Sequence, residues 1–268
     1  MKKLFFTGLL SACTLLLISC LESGSNMQSR NGVPGIIKID ESKKATIMSP
    51  DFYPYAFYDP SISLENMEFE DGDCILFGYT VDFNETSNAD YQVTGVIQGS
   101  ISSGIVALDQ YPCLPDIYYP NIYPDIDLDT STLMPNEQPI AYAISTVGMT
   151  SYFLDKFFLS SDFTTNTDQK TFWYLYYDPN LPTKEVDGKT VYTLFLRAEI
   201  TDPGKKPVIN GYATNVFDTE SFIGTITNYE KIKGNQMAYF QINHINEIKS
   251  DGTFTWSQSE VLSFTIDE

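Results

Sequence analysis

From residue 35 onward the chain is cut into short β-rich runs by turn signals, and no long stretch keeps an apolar period of 3.6 residues. The runs cover residues 36–39, 74–83, 91–98, 171–177, 190–200, 237–242 and 261–266. Between them stand Asp71-Gly72, Asp187-Gly188, Asp202-Pro203-Gly204, Lys233-Gly234-Asn235 and Asp251-Gly252. Asp-Gly between apolar runs signals a hairpin, because a tight type I′ turn needs positive φ at both central residues. The expected fold class is therefore all-β and mostly antiparallel. Residues 151–159 are ambiguous between a helical turn and a buried strand.

Residues 111–139 carry Pro112, Pro115, Pro120, Pro124, Pro135 and Pro139, six of the chain's 14 prolines. Proline cannot donate to a central ladder, so this Pro/Tyr-rich segment reads as a linker between two β domains. Residues 33–110 have the size of a small barrel, and residues 140–268 that of a sandwich of about seven strands. A length of 268 residues and a hydrophobic content of 43% suffice for two cores.

The first twenty residues form a separate unit. Lys2 and Lys3 precede an apolar run over residues 4–19, and Leu17-Ile18-Ser19-Cys20 follows. The run is short for a transmembrane span of about 20 residues. The pattern resembles a bacterial lipoprotein signal peptide with its lipobox, which predicts cleavage after residue 19 and acylation of Cys20. Residues 20–32, polar and rich in Gly, Ser and Asn, read as a flexible tether.

The formal net charge is −19, and it becomes −21 once Lys2 and Lys3 leave with the signal. Such a surface disfavours nucleic acid and anionic head-groups. Membrane attachment is expected through the lipid, with the body standing off the bilayer. An outer-membrane location follows as the expectation, on either the periplasmic face or the cell surface.

Cys74 and Cys113 remain after Cys13 leaves with the signal and Cys20 is acylated. They read either as one disulfide closing a loop of about 40 residues or as two buried thiols. Asp125, Asp127 and Asp129 share one side of an extended chain and could begin a calcium site, although Thr130 and Asn136 stand where an EF-hand needs Gly and Glu. His244 is the single histidine, flanked by apolar residues, and reads as structural rather than catalytic. No cofactor motif appears: G-x-x-x-x-G-K-[ST] and G-x-G-x-x-G are both absent from the sequence.

A family resemblance rests on GIIKIDESKKATI at residues 35–47, FEDGDCILFGYTVDFN at 69–84 and YQVTGVIQGSI at 91–101. It continues with TFWYLYYDPNLPTKEVDGKTVYTLFLRAEITDPGKKP at 171–207 and GYATNVFD at 211–218. These segments resemble the NigD-like lipoproteins of Bacteroidetes. The resemblance implies an OB-like N-terminal barrel, an immunoglobulin-like β-sandwich after it, an envelope location and a bacteriocin or defence setting. Phe172-Trp173 and Leu196-Arg197-Ala198-Glu199 depart from the family's usual histidine-bearing motifs at those places.

The expectation is a non-catalytic envelope lipoprotein that binds a protein partner. The alternative is a glycan-binding accessory lipoprotein, which would set Trp173 or Trp256 in an exposed coplanar row. A hydrolase comes third, since 35 acids make some carboxylate pair inevitable.

Overall fold

The computed structural model describes residues 26–62, 68–115, 130–143, 150–177 and 181–266. Two β units follow one another, as the turn-punctuated sequence predicts.

The first unit is a closed barrel. β1 (Met27–Ile39) pairs antiparallel with both β2 (Ala45–Met48) and β4 (Cys74–Asp82). β2 pairs with β3 (Ala56–Tyr58), and β3 runs parallel to β5 (Val96–Gln98). β6 (Ser100–Ala107) returns to β4. Gly99 joins β5 to β6, so the two act as one bent strand that completes a ring of five. A Cβ at Gly99 would stand 2.6 Å from the Thr80 carbonyl oxygen and 2.7 Å from the Phe57 ring, which is why the corner takes glycine. Inside lie Ile37, Ile47, Phe57, Ile75, Phe77, Tyr79 and Val81.

Two expectations are corrected here. Residues 27–32, read as tether, belong to β1. Their polar side chains suit a strand whose outer face is wet: Ser29 bonds Thr80 at 2.7 Å, and Arg30 donates to Asp51 at 2.6 Å. A bulge between Arg30 and Val33, with Gly32 at φ 64°, absorbs the polar Asn31-Gly32 pair. Residues 91–98, read as one strand, instead form α1 (Tyr91–Thr94), a left-handed Gly95 and then β5.

The second unit is a sandwich. One sheet holds β14 (Lys205–Asp218) and β10 (Lys156–Thr167), with β8 (Ile140–Tyr142) and β9 (Thr150–Phe153) on the far side of β10. The other holds β11 (Lys170–Tyr177), β13 (Lys189–Asp202), β15 (Met237–Ile248) and β16 (Phe254–Gln258), with β12 (Lys184–Val186) and β17 (Leu262–Thr265) at its edges. Residues 151–159 are a β9–β10 hairpin, turned by Leu154 and Asp155 at φ 48° and 61°. Phe157, Leu159 and Phe217 from the first sheet meet Trp173, Leu194, Leu196, Phe240 and Ile242 from the second.

The segment expected as a linker, residues 111–139, takes part in the sandwich at both ends. β7 (Gln110–Pro115) is a strand parallel to both its neighbours. Its first half pairs with β14 and its second with β11, so it passes from one sheet to the other between Pro112 and Cys113. The missing N–H of Pro112 falls where the ladder changes partner. Residues 136–138 extend the second sheet beside β13 through an antiparallel bridge between Glu137 and Glu199. Gln138 N donates to Ala198 O at 2.8 Å, and Ile200 N to Asn136 O at 2.9 Å.

A helix, α2 (Glu220–Ile232), carries the chain from β14 to β15 and is absent from the sequence reading. Its buried Glu230 accepts bonds from Tyr192, from Lys233 at 2.9 Å and from Asn235 at 2.5 Å. Burial raises the pKa of this carboxyl, but those donors outweigh it and hold the group below its ordinary value. Barrel and sandwich meet through Ile36 and Cys74 on one side and Phe153, Phe158 and Val216 on the other.

Candidate functional site

The β7 crossing leaves the seam of the sandwich half closed. β7 covers β14 at residues 216–218 and β11 at residues 175–177. Below that level a cleft of about 780 Å³ opens between β11 and β14, with β10 behind it. This volume lies within the usual range of ligand pockets.

Rings line much of the cleft. Phe163 meets Trp173 edge-on at 5.3 Å, and Tyr111 meets Phe172 edge-on at 4.8 Å. Tyr212, 55% exposed, borders the cleft from the outer face of β14, its hydroxyl donating to Ser160 Oγ at 2.9 Å. Burial first and the nearby Asp109 carboxylate second push the Tyr111 hydroxyl up to about 12. Asp168 and Lys170 complete the charged rim.

Asn215 is the unusual member. It shares a strand face with Ala213 and Phe217, which pack in the inter-sheet core, so alternation turns its amide inward. It is 4% exposed, lines the cleft, and its Nδ2 has no hydrogen-bond partner among the described residues. A buried donor in that condition is costly unless something supplies an acceptor. An amide in an otherwise small or apolar inward row is visible in the sequence, but its meaning depends on β7 ending where it does.

The residues singled out from sequence fall elsewhere. Trp173 is 3% exposed in the core, and Trp256 packs edge-on against Phe195 at 5.5 Å, so the exposed row of tryptophans is not formed. Trp173 is buried because it alternates with Leu175 on the inward face of β11. His244 is 2% exposed, and neither ring nitrogen reaches hydrogen-bond geometry. Desolvation lowers its pKa, and the nearby backbone of Ala141 and Ile242 opposes that only in part.

Cys74 is a free buried thiol in the barrel–sandwich interface, with Sγ 3.6 Å from Gly72 O. Burial pushes it up to about 11. Cys113 sits on β7, and its side chain lies outside the described residues, as do Cys20, Asp125, Asp127 and Asp129. Among the described residues no group of three His, Cys, Asp or Glu side chains is arranged to hold a metal, and no helix is long and apolar enough to cross a membrane.

A second buried polar feature is structural. Arg197, 1% exposed on β13, gives Nε to both carboxylate oxygens of Glu137 at 3.0 and 3.1 Å, and Nη2 to Glu137 and to Thr132 O, the latter at 2.9 Å. Glu137 also accepts from Met134 N at 2.9 Å. The pair rivets residues 130–139 onto the sheet.

No curated protein matches this chain. Residues 24–104 match the family described as the lipoprotein OB domain, which spans the barrel. An uncharacterized protein from Parabacteroides merdae superposes with a TM-score of 0.71 at 24% identity, covering 89% of this chain and 100% of that one. A NigD-like immunity protein from Bacteroides caccae gives 0.49 at 11% identity, covering 92% and 100%. The chain therefore has the fold of the Parabacteroides merdae protein, and its barrel is matched by the lipoprotein OB domain family.

Proposed function

We propose that the chain is a lipid-anchored, non-catalytic binding module of the bacterial cell envelope, whose ligand enters the seam cleft. The observation that carries this reading is the cleft itself: rings on its walls and a buried amide donor, Asn215, with no partner among the described residues. Its described lining is mainly rings, amides and hydroxyls, a set suited to holding a ligand. The match of residues 24–104 to a lipoprotein domain supports anchoring through Cys20 after loss of residues 1–19. The anchor belongs in the outer membrane, and the NigD-like sequence resemblance favours a bacteriocin or defence setting. A protein ligand is preferred over a glycan, because Trp173 is buried instead of standing in an exposed row.

Two measurements test this. Labelled palmitate is expected to enter the wild-type protein and not Cys20→Ala. A photo-crosslinking amino acid at Tyr212 is expected to yield a discrete envelope adduct in cells, and none is expected from Val93, an exposed residue on the barrel. Equal crosslinking from both positions would remove the cleft from the binding surface.

A further inference from the structure

The backbone around the cleft narrows the class of ligand. β7 shows what fits this seam: an extended strand lying between β14 and β11 and parallel to both. The same two edges continue below it. Among the described residues, β14 has no partner on this side over residues 208–215, and β11 has none over residues 171–174. Each edge therefore presents a row of unpaired N–H and C=O groups facing the gap.

Among the described residues, none lies in that gap. It reaches the top of the seam from the barrel, with Leu108 N donating to Cys74 O at 2.9 Å and Val216 N donating to Asp109 O at 3.1 Å. Among the described residues, the line of β7 thus continues downward as an unpaired track between the two edges. Asn215 lines that track from the inter-sheet face, and its buried Nδ2 has no partner among the described residues, so a carbonyl acceptor brought alongside would satisfy it.

We propose that the cleft accepts an extended peptide segment of a partner protein as an added strand, bonded through its backbone to β11, β14 and Asn215. This rests on the reading of the cleft as the binding site. Strand addition draws affinity from main-chain bonds and selectivity from alternate side chains. The four-residue free edge of β11 spans about 13 Å at roughly 3.3 Å per residue, so the inserted segment is about four to six residues long. Side chains facing inward meet Phe163 and Trp173 and are apolar. Asp109 and Asp168 outnumber Lys170 at the rim and the chain carries a formal charge of −19, so the flanks of the segment are cationic.

The test uses the full-length lipoprotein in detergent with Lys170→Cys at the exposed foot of β11. Each member of a panel of capped hexapeptides, with a lysine at one end, a cysteine activated as a pyridyl disulfide at the other and valine, threonine or tyrosine at alternate positions, is tethered there by thiol–disulfide exchange that releases the pyridyl thiol. Tethering raises the effective concentration to the order of mM. Each peptide has a twin N-methylated at alternate residues, which keeps the side chains and removes backbone donors.

The expected result is at least tenfold slower amide exchange over residues 171–174 and 208–215 with the best peptide, and less than twofold with its twin. Equal protection by the twin, or protection by no member of the panel, overturns strand addition. Ile209→Cys on the opposite wall repeats the test should Lys170→Cys not fold. If the Tyr212 adduct forms in cells while the twins protect equally, the binding reading stands and strand addition falls. If neither appears, both fall.

Discussion

The barrel and the sandwich use the same antiparallel material and treat their edges in opposite ways. In the barrel, the bent β5–β6 strand gives every neighbour a partner, and the buried polar side chains are satisfied: the Tyr79 hydroxyl reaches Asp51 at 2.8 Å, Asp59 accepts from Ile101 N at 2.7 Å, and Asn88 bonds the backbone of Asp82 and Gln98. In the sandwich, β7 closes one seam halfway, and Arg197, Glu137, Glu230, His244 and Asn215 are all buried. A ring leaves no free edge for a ligand, whereas an incompletely closed seam does. The contrast is why the proposed binding site lies at the sandwich's interruption and not in the barrel.

Because both tryptophans, Trp173 and Trp256, lie in the sandwich, indole fluorescence follows that unit alone while far-UV circular dichroism follows both. The largest expected effect is that of Arg197→Met. Removing one member of a buried pair costs about 3–5 kcal/mol, read as a lower denaturant midpoint by fluorescence. The double variant Arg197→Met with Glu137→Leu should recover most of the loss; a double variant as weak as the single would mean that the pair's charge is not what holds the segment.

Next comes Gly99→Ala, whose added Cβ crowds the Thr80 carbonyl and opens the ring at a cost of about 1–3 kcal/mol. Its transition should move by circular dichroism and leave the fluorescence midpoint in place. A shift in both would show that the two units unfold together and dissolve the comparison.

Asn215→Leu should have the opposite sign. Replacing an unpartnered buried amide by an apolar group of similar size gains about 1–2 kcal/mol by fluorescence, while the Tyr212 adduct weakens. A destabilised variant would show that the amide is satisfied in the free protein.

The smallest effect concerns pH. His244 is held neutral by burial, so its folded pKa lies below the ordinary 6.5. The stabilisation from keeping it neutral is fully present above pH 6.5 and is lost as pH falls from there, since the unfolded chain then binds the extra proton. Between pH 7 and 5 the wild-type fluorescence midpoint should fall, and that of His244→Leu should stay nearly level.

Local signals in the sequence reach the strands but not the seam. Asp187-Gly188 and Asp251-Gly252 mark hairpins in the structure, with Gly188 and Gly252 at φ 74° and 82°. Leu154-Asp155 turns a hairpin without turn chemistry, which left residues 151–159 ambiguous. α2 carries Thr225, Thr227 and Gly224 in a 13-residue helix, too weak a helical composition to stand out among β runs. β7 was hidden by a sound rule applied too widely: prolines are excluded from a continuous central ladder, and this strand changes ladder at Pro112. The cleft draws Tyr111, Phe163, Trp173 and Asn215 from four strands, and no spacing along the chain announces that they meet.

The position of β7 also bears on inheritance. A gene segment cut at residue 140 looks like a complete sandwich, yet it omits the strand that joins the two sheets. Recombination at that point would leave both lips of the seam bare. The heritable unit of the sandwich thus begins upstream of residue 110, well before most of the prolines that punctuate the join.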